Sequence, residues 1–316
     1  MKGKRRDPDR AADEPALAGA TARATVAVTG QPPETKRPVG SRVRRGLGQF
    51  ILSIPLLLLV VWTVAPFLVT VSVSLKHRAD VFARPGLIPT NPSLVAYGDV
   101  LASDSFTTSL VNSVIVGIGT TLLTLAIGVP AAYAFARWRF RGRHLLLLFT
   151  LLPRLVPSLG LMVPIYRLAV AAGLLDRRLT IIVVYTGMLL PLAVWLMVGF
   201  FQQIPREIEE AANVDGASLW GRLRYIVAPL ATPAMITIGV LAFREAWNEF
   251  TLVLVLTSSP GKRTLPYELY LMQGIEGIAN FPSEAAFTLL TVLPFVLIYT
   301  RVEKYVVAGL ISGSGK

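Results

Sequence analysis

Charged residues are absent from long stretches of this chain and crowded between them. Residues 47–75, 106–136 and 179–203 contain no Asp, Glu, Lys or Arg, and each exceeds the roughly 20 residues that a helix needs to cross a bilayer. Residues 144–166 are apolar apart from Arg154, and Pro153, Pro157 and Pro164 predict a kinked or broken helix there. A fifth apolar stretch, 232–257, is interrupted by Arg244, Glu245 and Glu249. A sixth, 285–307, stays apolar to Thr300 and then carries Arg301 and Lys304, whose long stems can reach the interface. The pattern predicts an all-α, polytopic membrane protein with six transmembrane helices.

Residues 1–46 have a different character. Rich in Arg, Ala, Pro, Asp and Glu and without apolar periodicity, they bury too little surface to offset the entropy of ordering and are expected to be a disordered, basic tail. The first apolar run is not followed by a small-residue cleavage signature, so it is expected to be kept as an anchor.

Composition sharpens this picture. A hydrophobic content of 53% and a mean hydropathy of +0.58 exceed those of a soluble domain. The net charge of +12 could suggest nucleic acid, so the placement of the cations decides. On the tail side lie Lys36, Arg37, Arg42, Arg44, Arg45, the group Arg137, Arg139, Arg141 and Arg143, then Arg206, Arg222, Arg224, Arg301, Lys304 and Lys316. The opposite side has Lys76, Arg78, Arg84, Arg177, Arg178, Lys262 and Arg263, roughly half as many, so the positive-inside rule places both termini in the cytoplasm. Topology thus explains the basic excess without nucleic acid. With no Cys and only His77 and His144, disulfides, thiolate metal sites, thiol nucleophiles and a His-rich metal site are excluded.

The longest polar, helix-forming stretch between apolar ones is 204–231, on the cytoplasmic side. Pro205 suits a first helical turn, and Glu207, Glu209 and Glu210 complement the positive end of the helix dipole. Asp215-Gly216 then interrupts the helix near Val214, and a second helix is expected from Ala217 to about Val227. An amphipathic segment resting on the membrane would fit this position. Such segments are rich in Lys, Arg and large apolar residues, however, whereas this one begins acidic and small, which favours docking to a soluble protein.

The residues here resemble a known family. Glu210-Ala211-Ala212, Asp215-Gly216-Ala217, Ile226 and Pro229 are similar to the EAA motif of the permease subunits of binding-protein-dependent ABC importers. Asn112-Ser113, Ala132-Tyr133-Ala134-Phe135-Ala136-Arg137, Pro164-Ile165-Tyr166, Gly173-Leu174-Leu175-Asp176, Trp247-Asn248-Glu249-Phe250 and 304–310 resemble the carbohydrate-uptake branch, in particular the second permease of maltose-type transporters. The resemblance covers residues 47–316. It implies the type I importer fold and a location in the cell (inner) membrane, with 204–231 as a coupling helix seated on a cytoplasmic ATPase. Glu210, Ala211, Ala212, Asp215, Gly216 and Ala217 would be its coupling residues, Glu210 pairing with a basic residue of the ATPase and Gly216 giving the turn. It further implies a second permease, two ATPase subunits and an extracytoplasmic solute-binding protein as partners, a sugar or oligosaccharide as cargo, and ATP and Mg on the ATPase alone.

Ionisable residues inside a membrane are costly and mark function by default. The helical rise puts Arg154 roughly 15 Å and Arg244 roughly 18 Å from the inner ends of their spans, near the midplane. Glu245, at similar depth, is expected to pair with one of them or to line the pathway. Asn248 and Glu249 are further candidates for pathway lining or helix pairing. In the outer loop 258–284, Tyr267, Tyr270, Gly274 and Gly277 are candidates for contact with the binding protein, as the maltose-type resemblance implies. Neither Gly313-Ser314-Gly315-Lys316 nor the Gly216–Gly221 spacing completes a phosphate loop. The chain is therefore expected to be a transport subunit, not an enzyme, with no cofactor or metal of its own. Glycerol phosphate, a polyamine or an amino acid remain alternative cargoes. A secondary transporter, which would show inverted repeats and more spans, is less consistent with the docking loop.

Overall fold

The computed structural model describes residues 40–274 and 280–314, and side chains for 53–273 and 280–303. Tail residues 1–39 and Gly277 lie outside the described residues. Among the described residues there is helix, turn and coil but no strand.

Helix α1 (Gly40–Ser74) begins earlier than the expected anchor at Leu47. Residues 40–46, read above as tail, are helical, because extending an existing helix costs far less than nucleating one. The part up to Leu58 forms a unit of its own, and the chain from Leu59 forms a second unit, which holds every site considered below.

Two short helices follow, α2 (Asp80–Ala83) and α3 (Val95–Leu101). They are tied to the end of α1 by Ser74, whose hydroxyl lies 2.8 Å from that of Tyr97, and by buried Lys76, which donates to the carbonyls of Arg84 and Gly86. Then come α4 (Asp104–Arg137), α5 (Arg143–Leu151), α6 (Ser158–Ala171) and α7 (Arg178–Gln203). The polar stretch holds α8 (Arg206–Val214), α9 (Leu219–Arg222) and α10 (Ala228–Leu230), and the remainder comprises α11 (Thr232–Asn248), α12 (Thr251–Leu256), α13 (Leu265–Gly274) and α14 (Phe281–Ser314).

Among the described residues, Ser53–Ser74, α4, α7 and Phe281–Glu303 are each long and apolar enough to cross a membrane. Two bent pairs pass the same test only when each is taken as one span: Arg143–Leu155 with α6, at 96°, and Leu219–Leu230 with α11, at 79°. The first break follows the Leu152–Leu155 turn, where Pro157 cannot donate to the turn before it. Arg154 sits in that turn, so a depth read from straight helical rise does not apply to it. The expected fifth stretch is also broken, at Glu249–Phe250 between α11 and α12.

Helix α4 is the centre of the packing, running along α7 and α11, while α11 also lies against α14. Glycines let it come close. A Cβ at Gly117 would stand 2.7 Å from the Phe243 ring of α11, and one at Gly119 2.7 Å from the Ile182 side chain of α7. Where lipid is as apolar as leucine, such backbone proximity is a main source of helix association.

Candidate functional site

The polar stretch folds into a helix whose two faces differ. Pro205 occupies the N-cap, one residue before the first turn. Glu209 and Ala212, three apart, are buried, whereas Glu207, Glu210, Ala211, Asn213 and Asp215 are exposed and Val214 is 88% exposed. Ile208, Ala211 and Val214 therefore form a small apolar strip facing solvent, with Trp220 and Tyr225 exposed nearby in sequence. The outer face of α8 is thus mixed, apolar side chains standing beside acidic ones.

The C-terminus of α8 is locked by Gly216. Its φ is +83°, its amide donates to the Asn213 carbonyl (3.1 Å), and the Ala217 amide reaches back to Ala212 (2.9 Å). These bonds form the Schellman arrangement, which needs a left-handed residue at the position of Gly216. The second helix departs from expectation. Ser218 caps Gly221 and α-helix runs only over α9, after which Leu223–Val227 is π-helical. Buried Leu223 and Val227 join Tyr133, Ala136 and Phe201 in one apolar cluster, so tertiary packing outweighs the regular helical register.

Beneath α8 lies a buried ion pair. Glu209 accepts from Tyr133 Oη (2.6 Å) and from Arg137 Nε (2.7 Å), and Arg137 Nη2 stands 2.6 Å from the same carboxylate. Arg137 Nη2 also donates to the carbonyl of Ile204, where α7 ends. With side chains only 11% and 8% exposed, removing one partner would strand a buried charge at a cost of about 3–5 kcal/mol. By sequence alone Glu209 is only a complement to the helix dipole. Its pairing was hidden because Tyr133 and Arg137 are distant in sequence, although the motif ending in Arg137 was visible.

The interrupted stretches come together around a cavity of about 530 Å³ lined by Arg154, Ser158, Tyr185, Glu245 and Glu249, among apolar residues of α6 and α7. Glu245 pairs with the adjacent Arg244 (2.8 Å), with side chains 45% and 54% exposed, and Arg154 makes no ion pair among the described residues. Asn248 turns back to the Arg244 carbonyl of its own helix (2.8 Å). Glu249 accepts from Tyr185 and from the amide of Leu252 (3.1 Å), which caps α12 and explains the break in the helix.

At the far end of α4 a second network holds the loop after α12. Asn112, fully buried, donates to the carbonyls of Gly261 (3.1 Å) and Arg263 (2.8 Å) and accepts from Arg178 (2.6 Å). Ser113 accepts from the amide of Leu265 (2.9 Å). Asp176, at φ 59°, receives the amides of Ser258 and Ser259 and the Ser259 hydroxyl. That hydroxyl bond holds its carboxyl below the usual range against the opposing effect of burial, and the two amides add to the effect. Arg178, one of the outer-side cations in the charge count, is a tie within this network.

The proposed binding-protein contacts divide. Tyr267 is half-buried between Arg263 and Phe250, Tyr270 is 52% exposed with its ring 4.9 Å from that of Phe250, and Gly274 ends α13.

Comparison with known proteins gives a consistent result. The model of a family described as binding-protein-dependent transport system inner membrane component matches residues 124–312. The trehalose transport system permease protein SugB of Mycobacterium tuberculosis is 34% identical over 264 residues, covering 82% of this chain and 94% of its own. The trehalose/maltose transport system permease protein MalG of Thermococcus litoralis is 31% identical over 272 residues, covering 85% and 98%. A chain from the crystal structure of a bacterial ABC transporter involved in the import of the acidic polysaccharide alginate matches with TM-score 0.74 at 25% identity, over 84% of this chain and 98% of that one. This chain belongs to the family of inner-membrane components of binding-protein-dependent transport systems, the permeases of ABC importers.

Proposed function

We propose that this chain is one permease subunit of an ATP-driven importer that passes a sugar or oligosaccharide from an extracytoplasmic binding protein into the cytoplasm. It crosses the inner membrane six times, each bent pair counting as one pass, with both termini in the cytoplasm. The observation that carries the reading is α8: an exposed strip of Ile208, Ala211 and Val214, edged by Glu207 and Glu210, on a helix whose other face is pinned to α4. That surface fits the cleft of a soluble ATPase, which supplies ATP and Mg. This chain is then a transport subunit and binds no nucleotide itself.

The cavity around Arg154, Glu245 and Glu249 supports a pathway role. Arg244 and Glu245 are about half exposed on an otherwise apolar helix, and a charged pair facing lipid is costly. A second permease covers that face and completes the pathway. The saccharide cargo is supported by the relatives named for trehalose and maltose and by the structural neighbour named for alginate.

The test is transport by the complete complex. Co-expressed with the permease, ATPase and solute-binding protein encoded beside it and reconstituted in liposomes, the chain should support ATP-dependent uptake of the saccharide that its binding protein retains in calorimetry. Uptake that runs equally without ATP, or a binding protein that retains only amino acids, would refute it.

A further inference from the structure

We propose that Tyr133, Arg137 and Glu209 form a mechanical joint, through which displacement of α8 is handed to α4 and so to the loop held at the other end of that helix. The proposal deepens the reading of α8 as the ATPase-facing helix and rests on it. None of the three side chains touches cargo or nucleotide in this scheme. They are positioning residues.

The geometry of the attachment carries the argument. α8 meets the rest of the chain through its inner face, where Glu209 is 6% and Ala212 8% exposed. Alanine makes only an apolar contact, which permits sliding. Glu209 is held from both sides, by Tyr133 on one carboxylate oxygen and by Arg137 on the other, at 2.6–2.7 Å. Tyr133 and Arg137 are four residues apart, hence on one face of the last turn of α4. The same guanidinium holds the Ile204 carbonyl, so one side chain joins the ends of α4 and α7 to α8. Because the pair is shielded from water, it cannot exchange one partner for solvent as α8 is pulled, and the dense apolar cluster around Tyr133 and Phe201 resists local yielding.

What α4 does with the displacement follows from its other end. Between Arg137 and Asn112 the helix is continuous for roughly 37 Å at 1.5 Å per residue. There Asn112 and Ser113 hold the loop at Gly261, Arg263 and Leu265. Thus a single rod is pinned by polar bonds to α8 at one end and to the 261–265 loop at the other. Networks of this kind modulate coupling between distant sites.

A buried ion pair also contributes to folding, so the experiment separates transmission from stability. The double variant Glu209→Gln with Arg137→Met removes both charges together, a change that leaves no buried ion unpaired and is often neutral for stability. In the reconstituted importer it should accumulate and retain its ATPase subunits, while saccharide moved per ATP hydrolysed falls by about 2- to 30-fold. Wild-type coupling in that variant would overturn the proposal. Should it fail to accumulate, Tyr133→Phe decides, since it deletes one hydroxyl bond: a lowered transport-to-hydrolysis ratio supports the joint, and an unchanged ratio overturns it. Val214→Arg distinguishes the underlying reading, because it blocks the outer face of α8 without touching the joint. If that variant keeps its ATPase, the docking assignment is wrong. If it loses the ATPase while the double variant couples normally, the joint alone is wrong.

Discussion

Replacing Gly216 with valine is expected to leave the chain in the membrane and to reduce saccharide uptake by about tenfold or more, with ATP hydrolysis no longer matched to transport. The reason is conformational. At φ +83° a β-branched residue meets its own carbonyl, at a cost of roughly 1–2 kcal/mol, and the chain can relieve that strain by giving up the two Schellman bonds that end α8. The exposed Val214 then no longer projects from a fixed turn. Asparagine tolerates the left-handed region far better, so Gly216→Asn should retain most of the coupling. Equal behaviour of the two variants in a paired uptake and ATPase assay would contradict this explanation.

The second large effect is expected at Asn112. Leucine is close in size but takes the Asn112 donor from the Arg263 carbonyl and the acceptor from Arg178 Nε at once, while the Gly261 carbonyl keeps only its bond from Arg178 Nη2. With those two polar groups stranded at roughly 1–3 kcal/mol each, the loss is about 3 kcal/mol. That corresponds to about 100-fold more open loop at 1.4 kcal/mol per decade. Limited proteolysis in the 258–264 loop reads it directly, as cleavage accelerated in Asn112→Leu. The neighbouring Asp176 adds a pH signature. Its folded pKa is depressed, so its stabilisation is fully present above the unfolded value of about 3.9 and is lost as pH falls through the lower folded value. Loop protection should therefore weaken below about pH 4, and Asp176→Asn should flatten that dependence.

Much of the architecture was legible in the sequence because the membrane imposes a coarse rule: long uncharged stretches must be helices. Residues 106–136 and 179–203 map onto α4 and α7 within a residue or two at each end. The broken third stretch was announced by Pro153 and Pro157. The end of α8 was visible too, since Asp215-Gly216 has few other uses between two helical segments. The π-helical turn at Leu223–Val227 was not, because its register is set by burial of Leu223 and Val227 against α4 and α7 and not by local propensity.

The long-range polar ties were hidden for a related reason. Nothing near Glu209 distinguishes it from Glu207 or Glu210; only the arrival of Arg137 and Tyr133 from α4 makes it the inward-facing member. Likewise Asn112 and Asp176 stood out as motif residues without a task, until the fold brought the loop of Ser258 to Arg263 against them. A sequence reveals which residues are unusual for their surroundings. Partners separated by seventy or more positions, as in Arg137–Glu209 and Asn112–Arg263, emerge only from packing.

The chain contains no cysteine, which permits a direct test of where α8 lies and what it meets. Val214→Cys places a single thiol on its most exposed apolar position. A membrane-impermeant maleimide should fail to label it in intact cells, label it readily in inside-out vesicles stripped of the ATPase, and fail again once the ATPase is restored, when a short bifunctional reagent should instead join the two subunits. Labelling of intact cells from outside, or full labelling with the ATPase bound, would contradict a cytoplasmic docking helix.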